Sequence, residues 1–141
     1  MNSSNSKIEI DLSDQRARVY NGGTLVIETQ VSTGKSGFST PTGRYSIREK
    51  LTEKKSGRYG TWFNAGGVQL QGEDHFNPPP GASRFVGAEM PYWLRITGGI
   101  GMHIGFVPDG PASHGCIRVP SNVQPLIYSR VKVGTPVTIT H

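Results

Sequence analysis

The sequence predicts a mainly β protein of antiparallel and mixed sheet with one short helix. Three observations carry that reading. Apolar and polar residues alternate with a period of two in several runs, the pattern of a strand with one buried face. Nineteen glycines and ten prolines among 141 residues punctuate those runs where turns are needed. Only one stretch, late in the chain, has a spacing that suits a helix.

The elements follow in order. Residues 7–12 place Ile8, Ile10 and Leu12 on one face, and residues 16–20 continue the alternation after a Ser13-Asp14 turn, so the pair reads as a hairpin. Asn21-Gly22-Gly23 turns the chain into a third strand over 24–31, and 44–49 supplies a fourth, which together make a β-meander. The Gly- and Pro-bearing stretch 32–43 reads as a loop whose backbone groups need partners in water, the fold or a ligand. Residues 51–89 are polar and weakly periodic, with aromatic residues spaced through them and short strands expected near 68–70 and 85–86. A segment of that length inside a small domain is expected to act as a lid or substrate loop. Regularity resumes in a strand over 92–97, a Gly98-Gly99 turn and a strand over 100–104. Ser121 or Asn122 is expected to cap the one helix, which runs to about Arg130 with Pro125 in its first turn, and 137–140 forms a closing strand.

Length and composition bound the function. The chain is long enough for one domain, taken here as 7–141, with residues 1–6 read as a polar tail. Those first residues lack the basic-then-apolar pattern of a signal peptide, so if the protein is exported its signal is expected to have been removed. No apolar run approaches the length of a membrane span, which argues against stable insertion. A net charge of +5 suits an anionic partner, yet no basic block exceeds Lys54-Lys55, and nucleic acid is not expected. One cysteine excludes an internal disulfide and the multi-cysteine zinc motifs.

That cysteine, Cys116, is inert, metal-bound or reactive. A free thiol is only a few per cent thiolate at neutral pH, so a nucleophilic role needs a nearby base or cation. Both His103 and His114 are in reach, and spacing alone does not choose between them. Gly115 offers a backbone N–H with no side chain in the way, suited to an oxyanion beside the nucleophile. Arg118 is placed either to hold a substrate carboxylate in a forked hydrogen bond or to bind a local acidic or carbonyl group. A zinc site of His103, His114, Cys116 and His75 has irregular spacing and is a weak signature, so no metal or other cofactor is expected. Tyr92 and Trp93, at the start of the strand before His103, are further candidates for substrate contact.

The string Ser113-His114-Gly115-Cys116-Ile117-Arg118, preceded by a histidine in a Met-His-Ile-Gly context, resembles the signature of the L,D-transpeptidase (YkuD-type) catalytic domain. The likeness extends to the 8–20 hairpin, to Val31-Ser32-Thr33-Gly34-Lys35 and to Thr40-Pro41-Thr42-Gly43, and covers 7–50 and 90–140 better than the stretch between. It implies a β-sandwich and a peptidoglycan cross-linking enzyme, periplasmic or cell-wall associated. In that family the cysteine attacks a stem tetrapeptide, releases D-alanine and passes the acyl group to an amine. Carried over, the resemblance makes Cys116 the nucleophile and His103 the base, with the Ile104 carbonyl orienting His103. His114 and Gly115 then frame the oxyanion site, and Ser113 and Arg118 support the loop or bind substrate. It also implies stem peptides as partners, carbapenem inhibition and a monomer. A hydrolase using the same cysteine, an L,D-carboxypeptidase or wall-amide hydrolase, is the alternative enzyme, and an inactive peptidoglycan-binding module the alternative outside enzymes. Two departures stand out: only nine residues separate His103 from Ser113, and the middle segment is unlike the better-known members.

Overall fold

Alternation in the first residues becomes a hairpin. β1 (Ser6–Asp11) and β2 (Arg16–Asn21) pair antiparallel, with Ile8 opposite Val19 and Ile10 opposite Ala17, all four buried. The Gly22-Gly23 turn, with both residues at positive φ, leads into β3 (Thr24–Gln30). The structure is a computed structural model that describes residues 5–141. Of the expected tail over 1–6, residues 1–4 lie outside the described residues. Ser6 instead opens β1, is buried and donates its hydroxyl to Arg130 O.

The fourth strand departs from the meander. Residues 44–49 form not one strand but parts of two, β4 (Gly43–Ser46) and β5 (Glu49–Leu51), in different sheets. The break falls at buried Ile47, whose N–H donates to Thr135 O and whose carbonyl accepts from Gly134 N–H. β4 pairs with the closing strand β12 (Pro136–Thr140), whose other edge runs parallel to β1. The first sheet is therefore β3-β2-β1-β12-β4. The distant strand takes the place beside β1 because it brings Val137 and Ile139 into the core opposite Ile8 and Ile10.

The second sheet has the order β11 (Ile117–Val119), β10 (Ile100–Ile104), β9 (Trp93–Thr97), β5, with β10 and β11 parallel. Leu94, Ile96, Met102, Ile117 and Val119 from this sheet join Ile8, Ile10, Val19, Val137 and Ile139 from the first in one core. Ile127 adds to it from α1 (Gln124–Arg130), the one helix among the described residues. The expected Ser121 or Asn122 cap is not formed. Val123 stands at the N-cap without a side-chain bond, because the amides of Val123 and Gln124 already donate to Pro120 O. At the other end Lys50 Nζ donates to Tyr128 O and Val131 O, a cation satisfying terminal carbonyls.

Two compact units make up the chain, one ending at Thr52 and resuming at Tyr92, the other Glu53–Pro91. The second unit, expected as a mostly irregular loop, carries its own three-stranded sheet in the order β7 (Gln69–Leu70), β6 (Lys55–Phe63), β8 (Arg84–Glu89). Gly57, Gly60 and Gly87 hide these strands from a hydrophobicity pattern. They also let the strands approach: a Cβ on Gly60 would lie 2.8 Å from Gly87 Cα. Within this unit His75 stacks near Phe85 and Trp62 donates its indole N–H to Asp74 O.

Candidate active site

Strand register brings the chemistry together. Ile117 pairs with Met102 and Arg118 with His103 across the parallel β10–β11 ladder. Since Met102, Ile117 and Val119 face the core, His103 and Arg118 project from the opposite face of the sheet. Cys116, one residue before Ile117, aligns with Gly101 and shares the face of His103. Two backbone contacts bear this out: the Cys116 thiol donates to Gly99 O at 3.4 Å, and the Gly101 amide faces the sulfur. β9 meets β10 with a register shift between Ile100 and Gly101, where the pairing of one strand gains a residue.

His103 is 8 % exposed. Its Nδ1 lies 2.7 Å from Ile104 O. A carbonyl only accepts, so Nδ1 carries the proton and Nε2 keeps its lone pair. Burial pushes the imidazole below the ordinary histidine range, the bond to Ile104 O opposes this, and the Arg118 charge adds to the lowering. Burial pushes the Cys116 thiol up, partly offset by the Gly101 amide and by Arg118. Both shifts favour a neutral thiol beside a neutral imidazole at rest, rather than a thiolate–imidazolium pair.

The turn that presents Cys116 is tied at several points. Gly115 sits at φ 122°, a backbone conformation that favours glycine, and a Cβ there would press only on the movable end of the Ile100 side chain. The Ser113 hydroxyl donates to Cys116 O and accepts from Gly115 N–H. This alters the oxyanion expectation for Gly115: its N–H is already engaged at 3.1 Å by Ser113 Oγ. The Cys116 amide itself makes no hydrogen bond among the described residues and is an open donor next to the thiol. His114 turns toward the edge of Phe38, with ring centroids 4.9 Å apart, and Lys35 Nζ lies 5.4 Å from the Phe38 ring centre.

The remaining candidates fall in different places. Arg118 packs its aliphatic stem on Gly105, and no ion pair or side-chain hydrogen bond among the described residues takes its guanidinium. Trp93, expected to touch substrate, is only 1 % exposed and lies inside the unit, tilted 34° against the His103 ring. Its apolar ring fills the space that Gly101 leaves without a Cβ. Tyr92, also expected there, packs edge-on against Tyr128 of α1 and accepts Gln124 Nε2–H on its carbonyl, so it supports the helix. His75 belongs to the 53–91 unit, and among the described residues no three His, Cys, Asp or Glu side chains converge as a metal would need.

Thr40 was missed by sequence reasoning. It is 4 % exposed, accepts from Gly34 N–H at 2.9 Å and donates to Gly115 O at 2.6 Å, clasping the 32–40 loop to the turn before Cys116. Ser32 and Arg118 exchange both backbone bonds in the same region, and Lys35 N–H donates to Ser113 O. The available signal was the Thr40-Pro41-Thr42-Gly43 string, which carries no period and names no partner.

The sequence model of the L,D-transpeptidase catalytic domain, YkuD, matches residues 5–139. Among curated proteins none matches the chain by sequence. Solved structures are similar in fold. An L,D-transpeptidase from Mycobacterium smegmatis is 20 % identical with a TM-score of 0.74, covering 97 % of this chain and 59 % of its own. One from Enterococcus faecium, solved as a cysteine-to-serine mutant, is 25 % identical with a TM-score of 0.65, covering 96 % and 50 %. An L,D-transpeptidase solved in complex with imipenem is 19 % identical with a TM-score of 0.73, covering 96 % and 59 %. The chain thus spans between half and three-fifths of the length of these three structures.

Proposed function

The chain belongs to the L,D-transpeptidase catalytic domain family, and from that premise we propose that it is a cysteine acyltransferase acting on peptidoglycan stem peptides in the periplasm or cell wall. The observation that carries the reading is the shared sheet face of Cys116 and His103, with His103 Nδ1 bound to the Ile104 carbonyl. On this reading His103 Nε2 takes the thiol proton as Sγ attacks the tetrapeptide carbonyl. The Cys116 N–H donates to the oxyanion that forms. Collapse breaks the bond to D-alanine, whose amine leaves with the proton from His103, and a thioester to Cys116 remains. An acceptor amine then repeats the sequence in reverse, losing its proton to His103 as Sγ departs with one. His103 replaces a protease histidine, and a backbone carbonyl replaces the third side chain.

Of the two histidines left open by spacing, His103 suits the base because its ring is oriented by Ile104 O, while His114 packs on Phe38. Arg118, with no acidic partner among the described residues and charge felt at both Cys116 and His103, suits a substrate carboxylate.

Intact-mass measurement tests the reading. Incubation with tetrapeptide muropeptide and separately with imipenem is expected to leave an acyl adduct on Cys116, and muropeptide dimers should accumulate. Cys116→Ala should lose both, and cross-linking retained by that variant would overturn the proposal. Tripeptide without dimer would identify the carboxypeptidase instead, and sacculus binding without any adduct an inactive module.

A further inference from the structure

We propose that Glu49 and Trp93 form a positioning pair that fixes the plane of the His103 ring; the inference rests on His103 being the base. Three observations converge. The Trp93 indole N–H donates to Glu49 Oε1 at 3.0 Å across the β5–β9 ladder, where Leu51 pairs with Trp93 and Glu49 with Arg95. The indole ring lies 6.2 Å from the His103 ring centre. Its Cη2 atom stands 2.8 Å from where a Cβ on Gly101 would be, directly beneath the residue whose amide faces the Cys116 sulfur.

The physical consequence concerns rotation. A histidine held by one hydrogen bond is free to turn its ring by half a revolution once that bond breaks, which exchanges Nδ1 and Nε2. Trp93 is buried beside the ring, and its indole N–H is held by a hydrogen bond to Glu49. A buried indole N–H normally finds a partner, and here the partner is a side chain rather than a backbone carbonyl. The pair therefore restrains the imidazole through packing, while Ile104 O selects its tautomer. Neither Glu49 nor Trp93 touches the reacting atoms, so both are positioning residues.

The test reads the ring directly. ¹⁵N-labelled imidazole resonances of His103, recorded across pH in the Cys116→Ala background, report tautomer and pKa. Imipenem acylation of the otherwise wild-type enzyme reports rate and half-saturation. Glu49→Gln keeps an acceptor and is expected to match wild type in both. Glu49→Leu and Trp93→Phe should show a mixed tautomer population and a maximal acylation rate reduced by about tenfold with half-saturation unchanged. Trp93→Phe keeps most of the apolar volume and remains informative if Glu49→Leu does not fold. A single Nδ1–H tautomer and an unchanged rate in Trp93→Phe would overturn the inference. His103→Gln separates the two failures: if it acylates normally the functional reading falls, whereas if it is inactive and Trp93→Phe is normal only the positioning pair falls.

Discussion

Replacing Thr40 by valine removes one hydroxyl and almost no volume, which isolates the clasp between the 32–40 loop and the nucleophile turn. That hydroxyl accepts from Gly34 N–H and donates to Gly115 O, and both backbone groups lose their partner together. A buried polar group left without its bond costs about 1–3 kcal/mol, so two of them cost about 2–6 kcal/mol, a substantial part of the stability of a domain this size. Thr40→Ser keeps both bonds and loses one methyl, at about 1 kcal/mol. Function should fall for a separate reason. Gly115 at φ 122° sets the direction of the Cys116 amide, and freeing its carbonyl lets that amide drift from the oxyanion position. Misplacement by about an ångström costs on the order of a hundredfold. Urea unfolding gives the first quantity and the imipenem acylation rate on folded protein the second. A Thr40→Val enzyme as stable and as fast as wild type would refute the clasp. So would a Thr40→Ser enzyme as damaged as the valine variant.

Two other perturbations discriminate further. Gly115→Ala forces a Cβ onto a residue at φ 122°, a backbone strain of about 1–3 kcal/mol, and should lower the urea midpoint and abolish adduct formation; an active, stable variant would mean the turn adapts. Arg118→Gln removes a positive charge that disfavours protonated His103 and favours the Cys116 thiolate, so both groups should titrate at higher pH and the acylation profile should move in the alkaline direction. A profile that moves toward acid would contradict the charge argument. The same variant should weaken tetrapeptide binding more than it slows the step after binding, measured as KM against kcat.

Legibility followed periodicity and chemistry. The hairpin of β1 and β2 and the pair β9 and β10 were readable because Ile8, Ile10, Val19, Leu94, Ile96 and Met102 alternate with polar residues and end at glycine turns. Cys116 drew notice because a lone thiol has two histidines nearby, but spacing left His103 and His114 both open and only the resemblance preferred His103. What sequence reading missed depends on distance along the chain. β12 enters between β1 and β4 through pairings of residues far apart along the chain, such as Ile8 with Val137 and Ser46 with Pro136, which no local pattern encodes. The break at Ile47 comes from its bonds to the 134–135 turn, not from a Gly or Pro. β11 is three residues long, too short to show a period. Trp93 was named a candidate for substrate contact from its place before His103, yet the missing Cβ of Gly101 gives its ring a buried place.

The direction of both pKa shifts constrains how a nucleophile here can act. A protease-like thiolate–imidazolium pair would need burial to be outweighed at both groups, whereas burial is the leading influence on each and drives both toward the neutral form. Arg118 helps the thiolate and penalises the imidazolium, so it does not stabilise the pair as a whole. The hydrogen bonds on the thiol side tell the same story: Gly99 O accepts from the S–H, and Gly101 N–H is ready for the sulfur once the proton is gone. Proton transfer to His103 Nε2 is then best coupled to attack on the carbonyl, when the charge passes at once to the oxyanion beside the open Cys116 amide. A resting thiol of this kind should react slowly with a simple alkylating reagent that offers no oxyanion, and quickly with an acylating one that does. That contrast is what an acyltransferase needs if its nucleophile is to ignore everything except a carbonyl seated against that amide.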